Sequence, residues 1–369
     1  MTDTIDSVPG APTVDPERLQ ALVERAVGDF GSVLNAALVV VGDRLGLYRA
    51  LAERGPSTAV ELAAATGTTE RNVREWLSAQ SAAGYVTYDG PVADGGADRF
   101  SLSPEQAEAL TDENSLAFVA GGFQVVTAAA KADEKITAAF RNGGGVGWHE
   151  HHHDLFAGTE RFFRPGYAAN LVGSWLPALQ GVLDRLRHGA RVADVGCGHG
   201  ASTVLMARAF PDSTFVGYDY HAPSIAAAHE AATAAGVGNA EFEVAAADGF
   251  GPAPYDLICY FDCLHDMGDP VGALRHARTS LAGNGVVMLV EPHAGDTLAE
   301  NLNPVGRVFY AASTLICTPA AQSQSGNPGG ALGAQAGERR LAEVARAAGF
   351  SRVRRAAETP FNLVLELRP

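Results

Sequence analysis

The chain has 369 residues, 47% of them hydrophobic and 19% charged, with a formal net charge of −15. That balance describes an ordered globular protein with room for two cored domains, and the negative excess argues against a general nucleic-acid binder, which needs a basic surface. Four cysteines (Cys197, Cys259, Cys263, Cys317) show no CxxC spacing; neither a metal site nor a disulfide framework is expected, and a reducing, cytoplasmic setting is the economical reading.

Residues 1–15 are acidic and rich in Pro and Thr, without the basic start and apolar core of a signal peptide, and read as an unstructured leader. From 16 to about 51, Leu34, Leu38, Val41, Leu45 and Tyr48 recur near helical spacing. The run 36–41 is apolar enough to need cover, which makes this helix a candidate homodimer surface. No stretch reaches membrane-spanning length without a charge or a glycine. Ser57 or Thr58 can cap a short helix that Gly67 ends, and Thr69 starts another with Val73, Trp76 and Leu77 on one face. Segments 84–88 and 99–102, with a turn at Asp89-Gly90, read as the two strands of a wing. A DNA reader would present basic residues on its second helix, whereas Arg71 and Arg74 are offset by Glu70 and Glu75. Residues 16–103 are therefore read as a winged-helix dimerisation domain. A helical linker over 104–166 follows, helical to about 140, with a glycine joint at 143–145 and the histidine-rich segment 148–154. Phe162-Phe163-Arg164-Pro165-Gly166 punctuates the start of another helix running from Tyr167 to Leu186.

From 167 to 369 the pattern becomes alternating strand and helix, the mark of a doubly wound parallel sheet. Strands are predicted at 191–195, 214–218, 240–244, 257–261 and 286–291, with helices at 203–209, 223–235 and 271–281. Two last strands fall at 353–357 and 361–367, with a turn near Pro360. Asp194 opens into Gly196, Gly198 and Gly200, a strand-to-helix turn where a nucleotide-like ligand can approach the backbone. These glycines lack the G-x-G-x-x-G spacing of a nicotinamide site. Asp219 ends the second strand, where a carboxylate can accept hydrogen bonds from both ribose hydroxyls. Asp248 follows the third, where it can meet an adenine amino group while Phe250 covers the ring.

This ordered set resembles the class I S-adenosylmethionine-dependent methyltransferases over roughly 167–369. The winged-helix front extends the resemblance to the two-domain small-molecule methyltransferases of bacteria and plants. It implies an α/β fold with a seven-stranded Rossmann-like sheet whose last strand is reversed, S-adenosyl-L-methionine as cofactor, a homodimer and a small-molecule substrate. By that resemblance Asp194, Gly196 and Gly198 hold the methionine end, Asp219 the ribose, and Asp248 with Phe250 the adenine, with Cys197, Tyr220 and Gly249 as further cofactor contacts. Asp262, closing the fourth strand, is counted with the cofactor set. Plant-type O-methyltransferases hold the general base in a His-Asp pair at the station of His265-Asp266, though here Met267 replaces the usual aromatic. Imidazole can take an acidic proton near neutral pH, with Asp266 or Glu291 orienting the ring. The alternative is that His265 only caps a helix and lines the pocket.

His149, His152 and His153, beside Glu150, His151 and Asp154, read as a wall of the substrate pocket, with a structural or solvent-exposed segment as the alternative; a metal site ranks last, because adjacent side chains seldom converge on one ion. Tyr167 adds aromatic surface. Asn303, Arg307 and Tyr310 lie in the insertion that often closes the pocket in this fold class, and 322–333 has the composition of a mobile lid. The expected function is methyl transfer to a small molecule, at oxygen first and nitrogen or carbon next. Two other classes stay open: a cofactor-sensing transcriptional regulator, and an enzyme that retains the cofactor without methylating.

Overall fold

The computed structural model describes residues 13–93, 96–251, 254–324 and 330–369. Most of the expected leader (1–12) and the middle of the expected lid (325–329) lie outside the described residues. The chain forms two compact units, one ending at Ala107 and one running from Glu108 to Pro369.

In the first unit, Asp15 caps α1 (Pro16–Arg44) by accepting from the N–H groups of Glu17 and Arg18. The single long helix expected to about 51 is interrupted at Gly46, which sits in the left-handed region and begins α2 (Leu47–Arg54). β1 (Ser57–Thr58) leads into α3 (Ala59–Thr66), whose start is a reciprocal cap. Thr58 Oγ1 accepts from Glu61 N–H, and the Glu61 carboxylate accepts from Thr58 N–H. Next come α4 (Glu70–Ala82), β2 (Thr87–Pro91) and β3 (Asp98–Ser101), and the strands pair antiparallel in the order β1-β3-β2. The winged helix read from the sequence is therefore present.

α1 meets α4 through a polar core. Tyr48 Oη donates to Gln80 Oε1 at 2.6 Å, and Gln80 Nε2 donates to Asn35 Oδ1 at 2.8 Å. Gly42 is glycine for a steric reason, since a Cβ there would lie 2.4 Å from the Trp76 ring. Away from that seam Leu22, Val27, Phe30, Val33 and Leu34 are exposed. Among the described residues α1 is the one helix long and apolar enough to cross a membrane, by length and composition alone. On α4, Arg71 pairs with Glu75 at 2.6 Å and Arg74 with Glu70 at 2.5 Å.

The chain leaves the first unit within α5 (Pro104–Thr111). In the second unit α6 (Ala120–Ala130) and α7 (Asp133–Asn142) precede α8 (Asp154–Asn170). α6 and α8 approach closely, because a Cβ on Gly121 or on Gly158 would lie 2.9 Å from backbone of the other helix. Pro165 does not begin a helix, as expected from the sequence, but lies inside α8. Proline removes one rung of the backbone ladder, and Pro165 lies on the face that α8 buries, with Leu155, Gly158 and Tyr167. A π-turn over Leu171–Trp175 follows, then α9 (Leu176–Ala178) and α10 (Val182–Arg187).

The sheet comprises β4 (Arg191–Val195), β5 (Thr214–Asp219), β6 (Ala240–Val244), β7 (Tyr255–Phe261), β8 (Leu281–Pro292), β9 (Arg352–Glu358) and β10 (Asn362–Arg368). Their order is β6-β5-β4-β7-β8-β10-β9, parallel through β8, with β10 antiparallel to both its neighbours. The helices are α11 (Ala201–Ala209), α12 (Ala222–Ala235), α13 (Pro270–Ser280), α14 (Pro304–Ala312), α15 (Thr318–Gln324) and α16 (Gly337–Ala347). The central strands are apolar without alternation because both faces are covered. Ala193 and Ile258 pack with Leu274 and Leu341 on one side, and Val192 and Leu257 with Trp175 and Met206 on the other. The carboxyl ends of five parallel strands thus form one edge, where an open α/β sheet places its ligand.

Candidate active site

The turn after β4 is fixed by hydrogen bonds from the N–H groups of Gly196 and Cys197 to Tyr218 O, at 2.7 and 3.0 Å. Gly196, Gly198 and Gly200 all have φ between 53° and 78°, a region that L side chains enter at a cost. Two of them are also crowded: a Cβ on Gly196 would lie 2.7 Å from Cys263 Sγ, and one on Gly200 2.8 Å from the Phe242 ring. Gly198 faces open space, and its N–H donates to Asp219 Oδ2 at 3.0 Å, while His221 N–H donates to Oδ1 at 2.8 Å. Burial raises the pKa of Asp219 against the pull of these two donors. Each carboxylate oxygen retains accepting capacity.

A cavity of about 990 Å³ opens over this turn, and Gly196, Cys197, Gly198, Asp219, Tyr220, Asp248, Asp262 and Asp266 all line it. Tyr167 joins them from α8, with Phe156 and Phe163. Asp194 is not on the wall. It is buried beneath the turn, its Oδ2 accepts from Ser202 and Thr203 hydroxyls at 2.6 Å each, and its Oδ1 has no hydrogen-bond partner. Burial lifts its pKa to about 6. Gly249 is also absent from the wall, and Phe250 packs in the core against Tyr218 and His276 instead of facing the cavity.

Asp262 has φ 50°, and it alone among the described non-glycine residues adopts the left-handed conformation. Two donors hold it there: Tyr167 Oη at 2.9 Å and Asn362 Nδ2 at 3.0 Å. Burial pushes its pKa up to about 7. Asn362, one hundred residues further along the chain, carries no sequence signal that would have singled it out.

Beyond Cys263, residues Leu264–Asp266 form one 3-10 turn. His265 is buried, and its Nδ1 lies 2.5 Å from Glu291 Oε2, while Glu291 Oε1 accepts from Leu264 N–H at 2.9 Å. Nε2 lies 3.2 Å from Asp266 Oδ1. Burial opposes the imidazolium, yet the carboxylates of Asp266 and Glu291 hold its pKa well above the usual value. Only Asp266 of these three reaches the cavity wall. Cys317, from the π-turn Ser313–Cys317 after α14, completes the group.

The other sequence candidates lie elsewhere. His149 stacks edge-on to Tyr220, with ring centres 6.2 Å apart. His152 and Asp154 gather around Lys131, whose Nζ is 3.1 Å from Asp154 Oδ2, and His153 Nε2 is 3.5 Å from Asp154 Oδ1. None of these three histidines lines the large cavity. Asn303 caps α14 and lines a separate cavity of about 310 Å³, while Arg307 and Tyr310 on the same helix line neither.

Residues 186–330 match the methyltransferase domain family, and 34–112 match the Rv2258c-like winged helix-turn-helix domain. No curated protein matches the chain in sequence. Among solved structures, the mitomycin 7-O-methyltransferase MmcR is 20% identical with a TM-score of 0.69, over 96% of this chain and all of that one. PigF with SAH is 17% identical with a TM-score of 0.71, over 97% of this chain and 100% of that one. Human N-acetylserotonin methyltransferase in complex with SAM is 14% identical with a TM-score of 0.66, over 97% of this chain and 99% of that one. Residues 186–330 are thus a match to a methyltransferase domain, preceded by a match to a winged helix, and the chain shares the Rossmann-like fold of these solved methyltransferases.

Proposed function

We propose that this chain transfers a methyl group from S-adenosylmethionine to the hydroxyl oxygen of a small molecule. The observation that carries this reading is a shared cavity: the glycine turn and Asp219 line it together with Asp266, the cavity-facing member of an acid–imidazole cluster. The residues present fit the cofactor. Gly198 leaves open space where a Cβ would stand, Asp219 retains lone pairs for ribose hydroxyls, and Asp262 is a half-buried acid on the cavity wall suited to an ammonium group. Asp248 on the same wall suits an adenine amine.

When bound, the cofactor supplies an electrophilic methyl on a sulfonium. The chain's own part is to position the acceptor and exclude water. Phe156, Phe163, Phe261 and Met267 give the wall its apolar area. Asp266 accepts the hydrogen bond of the acceptor hydroxyl, and His265, pinned by Glu291, shares the proton and balances the charge. The O-methyltransferase neighbours support oxygen as the acceptor atom. The exposed apolar face of α1 is read as the contact between two copies of the chain.

Calorimetry with S-adenosylmethionine, followed by transfer of labelled methyl to a panel of phenols and other hydroxyl compounds, tests the reading. Binding and a methyl ether product are expected. No binding by the folded protein, or a product methylated only at nitrogen or carbon, overturns it.

A further inference from the structure

We infer that residues 145–150 form a strap along the wall of the methyl-transfer cavity, and that Tyr220 is the positioning residue that latches it to the donor's seat. The donor site and the acceptor wall are then set as one unit. The inference rests on the methyl-transfer reading above and deepens it.

At the acceptor end the strap is fastened by backbone. Val146 N–H donates to Pro319 O on α15 at 3.0 Å. A Cβ on Gly145 would collide with the backbone of Pro319 and Ser323, so glycine is what lets the two chains meet. α15 contributes Ala320 and Gln324 to the cavity wall, and Gln324 Nε2 donates to Asp266 O at 2.9 Å. Past that anchor, the Glu150 carboxylate accepts from Gly147 N–H at 2.7 Å and closes the 3-10 turn Trp148–Glu150. Lys135 Nζ on α7 donates to Glu150 O at 2.7 Å.

At the donor end the turn meets the loop after β5. His149 lies edge-on to the Tyr220 ring. Burial, then the neighbouring Asp219 carboxylate, lifts the Tyr220 pKa to about 12, and the backbone N–H groups of His149 and Trp148 pull against that rise. Both N–H groups therefore face the phenol oxygen. Trp148 packs on Phe156 with ring centres 5.3 Å apart, and Phe156 on His221 at 4.7 Å. His221 N–H is itself one of the two donors that hold Asp219. The Tyr220 ring is 41% exposed, which puts the latch at the rim of the cavity and outside any packed core. A ligand on Asp219 steadies Tyr220 and His221, and through them the strap; loosening the strap at either end must cost donor binding in return. The histidine-rich segment thus acts through its backbone and its aromatic neighbours, although its imidazoles are off the wall.

The test uses the full chain with S-adenosylhomocysteine as the probe. Hydrogen exchange read by mass spectrometry should slow over 145–150 on binding, although Gly145, Val146 and Gly147 do not line the cavity. Tyr220→Phe should lose that protection and weaken binding about 2–10-fold, the worth of one net hydrogen bond, with melting temperature unmoved. Gly145→Ala should weaken binding by a similar factor from the far end of the strap. The double variant should bind no worse than the weaker single one, because either change already opens the strap. Circular dichroism shows whether each variant is folded; if Gly145→Ala is not, His149→Ala takes its place. Two losses that multiply in the double variant overturn the proposal. Binding to the parent chain without slower exchange over 145–150 overturns the strap alone, whereas no binding to the folded parent removes the methyl-transfer reading and the strap with it.

Discussion

Two groups of imidazole and carboxylate stand in the C-terminal unit, and they have nearly the same composition. At 152–154 a lysine occupies the centre: Lys131 Nζ lies 3.1 Å from Asp154 and 3.3 Å from the His152 ring. Its charge satisfies the buried acid, and the group does not reach the large cavity. At 265–266 Asp266 and Glu291 favour the charged form of His265, Cys317 stands beside them, and Asp266 lies on the cavity wall. A resident cation turns such a cluster into a structural tie. The second cluster instead presents the Asp266 carboxylate to the cavity, where charge can serve chemistry.

The largest effect that would break this contrast lies in the second cluster. His265→Gln is expected to lower kcat about 10²–10⁴-fold with S-adenosylmethionine affinity unchanged, measured by steady-state kinetics and calorimetry. An active variant would make the two clusters alike.

Asp219→Ala provides the donor-side control. Donor affinity should fall about 100-fold, the loss of one or two hydrogen bonds to a charged acceptor, whereas Lys131 and His152 variants should leave it alone in the same titration.

A third buried acid sharpens the comparison, since Asp194 has hydroxyl donors but no cation. Its folded pKa of about 6 lies above its unfolded value of about 3.9. The folded state therefore binds the proton more tightly, and stability is lost as pH rises through that interval. Asp194→Asn should remove this loss, gaining on the parent by about 2 kcal/mol between about pH 4 and about pH 6, as read from chemical denaturation at each pH. Equal slopes for the two proteins would refute it.

Lys131→Met should then give the smallest effect, about 1–2 kcal/mol of destabilisation, because the lysine is half-exposed although Asp154 is buried. Melting temperature should drop while the turnover of folded protein holds. Loss of turnover would move this cluster into the active site.

The glycine turn and the acids on successive strands were legible because strand, turn and helix follow one another locally, so spacing carries the geometry. The winged helix was legible for the same reason, through the Thr58 cap and Gly67. What the sequence hid were partnerships made across the fold. Asn362 on Asp262 and Cys317 beside His265 depend on β10 and on the insertion after β8 folding back over the sheet edge. The histidine run misled in the opposite way. Its conspicuous composition suggested a pocket wall, yet Lys131 from the end of α6 gathers His152 and Asp154 away from the cavity. Phe250 fell on the core side because the segment after β6 turns it toward Tyr218.

Phe242 on β6 touches two of the positions that shape the donor turn. A Cβ on Gly200 or on Gly217 would come within 2.8 or 2.6 Å of its ring. The turn can thus be retuned from a strand that does not line the cavity: a smaller side chain at 242 relieves the closest contact at 217, leaving Cys197 Sγ at 2.9 Å as the other. Drift at these two positions should be correlated across descendants of this gene, and a library varying them together will reach pockets that neither position reaches alone.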